Sequence, residues 1–390
     1  MNKDKLSRRS FIRKASMATA GTVAGALAGK GQASTKAGHT KTKIDTSKIL
    51  NYNPKMHYRR LGKTNLMISE VSLGGHWRAP WRDRSGGWWW GKSIKNGISD
   101  KIAKNRTDVV SKAIDCGMNY LDITGSEECI AFGTALKGRR EKMIVGADDS
   151  KLCPRRDKYC NVKAQLRNVE ECLRNIGTDY IDIWRIQAKM DGTNTDADVE
   201  VMIEAFRRLN KAGKVLHLGI SSHSRPWARH VIEKFPKVEM FIFPCTAKTK
   251  EKGKSSTRDN IEEVDAGYGP ETKSVFQSLA ENDVGLITIK PFFGGGLLKS
   301  NDKPKLGAGS KEDHDLVRLT LQCILNLNDA ITAVIPGLST VYEVDNAARA
   351  SYTRPLGLTA ADKEWLLQMT DERWALLPQQ YSWLHDWQIV

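Results

Sequence analysis

Val71-Ser72-Leu73-Gly74-Gly75-His76-Trp77 is an apolar run closed by two glycines, and it decides between two parallel α/β architectures. An open doubly wound sheet carries a GxGxxG turn straight after its first strand. Here Val71–Gly74 reads as a buried strand and no such turn follows it. The same kind of strand recurs at Tyr120–Thr124, Met143–Ala147, Tyr180–Ile186, Val215–Ser221, Met240–Pro244, Gly285–Lys290 and Ile331–Ile335. Helical period appears over Ile102–Cys116, Val162–Ile176, Asp198–Ala212, Pro226–Lys234, Glu271–Asn282, Asp313–Asn326 and Val341–Ala350. Apolar strands alternating with amphipathic helices imply a parallel sheet. Eight such strands predict a closed (β/α)8 TIM barrel in a single domain, with its site at the C-terminal strand ends. One insert interrupts the pattern, Trp77 to Asn105, and it contains Trp88-Trp89-Trp90.

Upstream of the barrel the chain has a different character. Ser7-Arg8-Arg9-Ser10-Phe11-Ile12-Arg13-Lys14 has the pattern of a twin-arginine export signal. Ala15 to Ala28 is uncharged and mildly apolar, too short and mild for a permanent membrane span, and Gly31-Gln32-Ala33 offers a small-x-small cleavage site. A basic arm for nucleic acid is the competing reading, but such an arm has no need of the apolar run. The expected division is a signal peptide at 1–33, a flexible Lys-rich leader at 34–56, the barrel at 57–355, and a tail at 356–390 packing near the barrel mouth. The implied location is periplasmic or otherwise exported, with the twin-arginine translocation machinery as a partner. Formal net charge falls from +16 to about +10 once residues 1–33 are set aside, and the remaining Lys and Arg are interspersed with acids. No nucleic-acid-binding motif accompanies them, so they read as solvated surface. The seven cysteines include no CxxC pair, which leaves zinc and redox motifs unsupported. Cys153 and Cys160 flank a short loop and either form a disulfide or remain free.

Several of these segments resemble the aldo/keto reductase superfamily. Tyr58-Arg59-Arg60-Leu61-Gly62-Lys63-Thr64-Asn65-Leu66-Met67-Ile68-Ser69 is similar to the hairpin that plugs the bottom of that family's barrel. Asn119–Thr124 resembles its second strand, Glu170–Leu173 with Gly177–Ile183 its third helix and fourth strand, and Gly213–Ser221 its fifth strand. Lys290–Leu298 and Ile335–Thr340 are similar to its cofactor end.

The resemblance implies carbonyl reduction with NADP(H), NAD being possible, and an Asp, Tyr, Lys and His at strand ends. Asp122 falls on the Asp position and is the candidate catalytic residue. Gly125-Ser126-Glu127-Glu128 stands where the Tyr should follow, Asp148-Asp149 where the Lys should end its strand, and Gln187 where the His should stand. A phenol needs a nearby cation to give up its proton at neutral pH, and Asp148 or Asp149 would reverse that charge. A carboxylate cluster of Asp122, Glu127 or Glu128, and Asp148 or Asp149 would support base chemistry or hold a cation or polyhydroxylated ligand, unless some of these acids are solvated loop residues. The resemblance places the cofactor against Ser221, Ser222, Lys290, Gly295, Gly296, Pro336, Gly337, Ser339, Thr340 and Asn346. Trp374, Tyr381, Trp383, His385 and Trp387 in the tail supply either aromatic walls for a flat or sugar-like ligand or ordinary packing. No metal site is expected.

The function expected is thus an exported oxidoreductase with tightly held NADP(H), acting through non-standard catalytic residues on a carbonyl or hydroxyl group of a small molecule. A catalytically silent barrel that binds carbohydrate or a partner is the alternative, and hydrolysis or epimerisation by the acids is a third.

Overall fold

The computed structural model describes residues 45–77, 98–251, 273–298, 311–388 and 390. The twin-arginine segment, residues 34–44 of the leader and the Trp88–Trp90 stretch lie outside them.

A short hairpin comes first: β1 (Tyr58–Arg60) pairs antiparallel with β2 (Met67–Ser69). Seven parallel strands follow in sequential order: β3 (Tyr120–Ile123), β4 (Ile144–Ala147), β5 (Ile181–Gln187), β6 (Val215–Ser221), β7 (Met240–Pro244), β8 (Gly285–Ile289) and β9 (Ile331–Val334). Val71–Gly74 differs from the regular strand expected of it. It makes single bridges, alternately to each edge of the sheet: Val71 to Val334, Leu73 to Leu121, and Gly74 to Gly337. Ser72 N donates to Val334 O at 3.1 Å, while Leu73 N donates to Tyr120 O at 3.1 Å. With a partner on either side, each backbone group bonds only one neighbour, and this segment closes the sheet on itself.

The strand faces divide the apolar residues. Tyr120, Ile144, Ile183, Met240, Ile242, Ile287 and Ala333 pack inward, and Leu61 and Ile68 of the hairpin join them from below. Gly62, at φ 46°, makes that plug possible, since a Cβ there would lie 2.2 Å from Gly285 N. The outward residues meet the surrounding helices: α1 (Asp100–Asp115), α2 (Ser126–Leu136), α3 (Val162–Ile176), α4 (Asp196–Lys211), α5 (Arg225–Lys234), α6 (Val275–Glu281), α7 (Lys311–Leu325) and α8 (Val341–Thr353). Local chemistry sets their ends. Asn161 caps α3, whose exit at Gly177 is left-handed (φ 75°), and Thr195 with Asp198 forms a capping box on α4.

The tail adds α9 (Ala360–Trp374) and a 3-10 segment, Gln379–Trp387. Trp387 is fully buried and stacked on Phe243 at 4.7 Å, and its Nε1 donates to His223 O. Trp374 packs edge-on against Phe293 at 5.0 Å. Both are therefore packing residues. Cys153 and Cys160 are free thiols, donating to Ser150 O and Pro154 O respectively. Among the described residues, no helix is long and apolar enough to cross a membrane.

Candidate active site

At the C-terminal end of the sheet, Asp122 on β3 and Arg185 on β5 meet inside the barrel. Arg185 Nε lies 2.9 Å from Asp122 Oδ1 and Nη2 lies 3.0 Å from Oδ2. Arg185 also donates to Ile123 O and to Ser221 Oγ. Burial pushes the Asp122 carboxyl up, while Arg185 opposes that shift. The guanidinium is itself raised, because the Asp122 and Asp148 carboxylates together outweigh the effect of burial. Tyr120 OH donates to Asp122 Oδ1 at 3.1 Å. Burial, reinforced by the Asp122 charge, holds that phenol well above its ordinary pKa, so it stays neutral.

Asp148, one residue past β4, is buried and accepts from Trp184 Nε1, Gln187 N and Gln187 Nε2. Burial is the main cause that lifts its pKa to about 6. Gln187 Nε2 also donates to Thr124 O at 3.1 Å. Only Thr124 and Gly125 connect β3 to α2. Glu128, in the first turn of α2, turns back onto this link. It accepts from Thr124 N at 2.6 Å and lies 2.8 Å from His76 Nδ1.

The acids expected to cluster are thus separated by their partners. Asp122 binds Arg185, Asp148 binds Trp184 and Gln187, and Glu128 binds Thr124 and His76. Glu127 pairs with Lys151, and Asp149 accepts from Ser126 Oγ. Among the described residues, no group of His, Cys, Asp or Glu is arranged to hold a metal ion. Sequence reasoning assigned no role to Arg185 and gave Glu128 no partner, since the bonds that define them span 63 and 52 positions of chain.

A second feature is cationic. Lys290 directly follows β8 with a left-handed backbone (φ 62°), and burial, then the Arg155 charge, lowers its pKa to about 8. Arg155, also lowered chiefly by burial, donates to Ala188 O. Neither makes an ion pair among the described residues. His223 follows β6 and stacks on Trp383 at 3.9 Å. Burial and the charges of Lys290 and Arg155 keep its imidazole well below its usual pKa, hence neutral.

The other residues expected at a cofactor are placed as follows. Ser221 Oγ donates to Ile186 O and Ser222 Oγ to Lys189 O. Gly295 N and Gly296 N donate within their own turn, to Phe292 O and Phe293 O, while Gly294 lies under Tyr381. Pro336 O accepts from Gly74 N, and Gly337 packs on the His76 backbone. Ser339 N donates to Glu343 Oε2, Thr340 caps α8, and Asn346 is buried on that helix.

A parallel α/β barrel plugged by a hairpin, with a buried ion pair and two half-buried cations near its strand ends, defines the class of protein. The chain belongs to the aldo/keto reductase family, whose sequence pattern it matches over residues 85–340. It is 29% identical over 180 residues to the uncharacterized oxidoreductase YqkF of Bacillus subtilis, a match covering 43% of this chain and about half of that relative (49%). The holo form of aldo-keto reductase AKR11C1 from Bacillus halodurans superposes with a TM-score of 0.53 at 20% identity, covering 80% of this chain and 96% of that one. An aldo-keto reductase from Klebsiella pneumoniae in complex with NADPH gives 0.54 at 14% identity, covering 83% and 96%. At these identities the likeness to the two structures is one of fold.

Proposed function

We propose that this protein is an exported NADP(H)-dependent oxidoreductase that holds its cofactor tightly and acts on a carbonyl or hydroxyl group with non-standard residues at its strand ends. The observation that carries this reading is Lys290, a half-buried cation near the Arg155 charge, with its Nζ over the Tyr381 ring and its backbone left-handed. Partly desolvating a charge beside a like charge is costly, and so is left-handed backbone for a residue other than glycine. Both costs fit a site built to receive an anion. Phosphate groups of a dinucleotide suit Lys290 and Arg155, and similar folds are solved with NADPH. When bound, such a cofactor supplies the hydride.

The protein contributes position and protons. Asp122 and Arg185 form a rigid polar floor, and Gln187 is fixed by Asp148 and Thr124. Where the resemblance expects a phenol, a lysine and a histidine, this chain has Gly125–Glu128, Asp148 directly after β4, and Gln187 at the end of β5. Export already folded, through the twin-arginine pathway, supports loading of the cofactor before translocation. Protein purified from the exported fraction and then denatured should release about one NADP(H) per chain; protein that is empty and shows no affinity for added NADP⁺ would overturn the reading.

A further inference from the structure

We propose that Arg155 recognises the substrate by gripping a carboxylate, so that the carbonyl or hydroxyl compound acted on is an organic acid. The inference rests on the oxidoreductase reading above and divides its two cations between two ligands, Lys290 for the cofactor and Arg155 for the substrate.

Position comes first. Arg155 lies between β4 and α3, and its Nε donates to Ala188 O at 3.1 Å. Ala188 directly follows Gln187, and its N donates to Ser221 O at 3.0 Å. Ser221 Oγ in turn accepts from Arg185 Nη1 at 3.2 Å. Three contacts thus link Arg155 to the Asp122–Arg185 pair. The electrostatics agree, because besides burial the Arg185 and Asp148 charges act on Arg155. Lys290 stands further round the sheet, directly after β8, with its Nζ 5.8 Å from the centre of the Tyr381 ring. The resemblance read from sequence assigns Lys290, with Gly295 and Gly296 after it, to the cofactor.

The donors of Arg155 are what single it out. Arg59 and Arg354 close on Glu70, Arg140 on Asp182 and Arg185 on Asp122. Arg155 has no such carboxylate. Among the described residues only its Nε–H is hydrogen-bonded, and both terminal nitrogens lack a protein partner. Half-buried donors without acceptors are costly to keep. Those two nitrogens form the edge of a guanidinium that grips a carboxylate at two points.

The loop is held still without help from Arg155. Buried Asn194 donates from Nδ2 to Pro154 O at 3.1 Å. Buried Gln165 donates from Nε2 to Tyr159 O at 2.7 Å and to Leu152 O at 3.3 Å. The chain on both sides of Arg155 is therefore fixed before a ligand arrives, which lowers the ordering cost of binding.

A flat wall completes the site. His223, two residues past β6, stacks on Trp383 at 3.9 Å with an interplanar angle of 11°. Burial, then the charges of Lys290 and Arg155, keep its imidazole neutral, so it adds a flat face and no charge. A planar acid suits a guanidinium fork with such a wall nearby.

Benzoate is the probe, with benzamide as its uncharged counterpart, each titrated calorimetrically into full-length protein loaded with NADP⁺. Benzoate should bind about 10-fold or more tightly than benzamide. Arg155→Met should weaken benzoate about 30-fold, within the range for a hydrogen-bonded charge, and should weaken NADP⁺ much less. Arg155→Gln, whose amide can still donate to Ala188 O, should behave likewise and keeps the test valid if the Met variant does not fold. Lys290→Met should show the reverse order, weakening NADP⁺ more than benzoate. Reduction of 4-carboxybenzaldehyde by NADPH is a second readout: its kcat/KM should exceed that of the methyl ester, and the Arg155 variants should remove the difference through KM. Benzoate that binds no better than benzamide overturns the proposal and leaves the cofactor reading standing. Arg155 variants that lose NADP⁺ affinity as much as benzoate affinity also overturn it, since the seat then belongs to the cofactor. Protein that binds no NADP⁺ removes the cofactor reading and the proposal with it.

Discussion

Asp122 and Arg185 form a two-point ion pair across the barrel interior, from the end of β3 to the end of β5, with distances of 2.9 and 3.0 Å and side-chain exposures of 5% and 3%. The desolvation cost of each charge is offset only while the other is present. Arg185→Met should therefore destabilise the protein by about 3–5 kcal/mol, the usual cost of stranding one buried partner. Chemical denaturation measures this, and replacing both residues by apolar ones should recover part of the loss.

Asp148 gives stability a defined pH dependence. Its folded pKa is raised to about 6 from 3.8, so the buried carboxyl favours the protonated form. Its contribution is greatest below the unfolded pKa and is lost as pH rises through about 6. Relative to Asp148→Asn, which does not titrate, the wild-type protein should lose about 1 kcal/mol between about pH 5 and about pH 8. Denaturant unfolding at both pH values checks the sign.

Lys290 links cofactor affinity to protons. With its pKa lowered to about 8, it is partly neutral in the free protein near that pH, and an anionic ligand would draw it back to the charged form. NADP⁺ affinity should fall as pH rises through about 8. In Lys290→Met, affinity should drop about tenfold or more at neutral pH and lose that dependence. Calorimetric titration across the range reads both.

Gly337 sets the separation between the closing segment and the loop after β9. A methyl group there meets His76 O at 1.6 Å, closer than any side-chain shift can relieve because the obstacle is backbone. Gly337→Ala should destabilise by about 3 kcal/mol, at the upper end of overpacking, and should weaken NADP⁺ binding as well. Thermal unfolding and titration test the two effects separately.

The strands were legible because each is a short apolar run, and β6 and β7 have the bounds that the sequence predicts, Val215–Ser221 and Met240–Pro244. Helix α3 likewise has its predicted bounds, since Gln165, Asn168, Val169, Cys172, Leu173 and Ile176 form one buried stripe. Helix α2 was not assigned from sequence. Cys129, Ala131, Phe132, Gly133, Ala135 and Leu136 are buried nearly all round it, so no polar face marks its period. Helix α9 went unassigned too, although the capping box of Thr359 and Asp362 is a local signal for its start.

Composition and periodicity by themselves determined an alternating α/β chain with apolar strands, and the missing GxGxxG turn favoured a barrel over an open sheet. The resemblance to the aldo/keto reductases singled out Asp122, Asp148 and Gln187. Only the tertiary structure decided what those residues do. Asp122 became half of an ion pair with Arg185, Asp148 a buried acceptor for Trp184 and Gln187, and Glu128 the anchor of His76. Periodicity is a property of neighbours along the chain. Burial, hydrogen bonding and charge pairing join residues tens of positions apart, and barrel closure is what brings them within 3 Å.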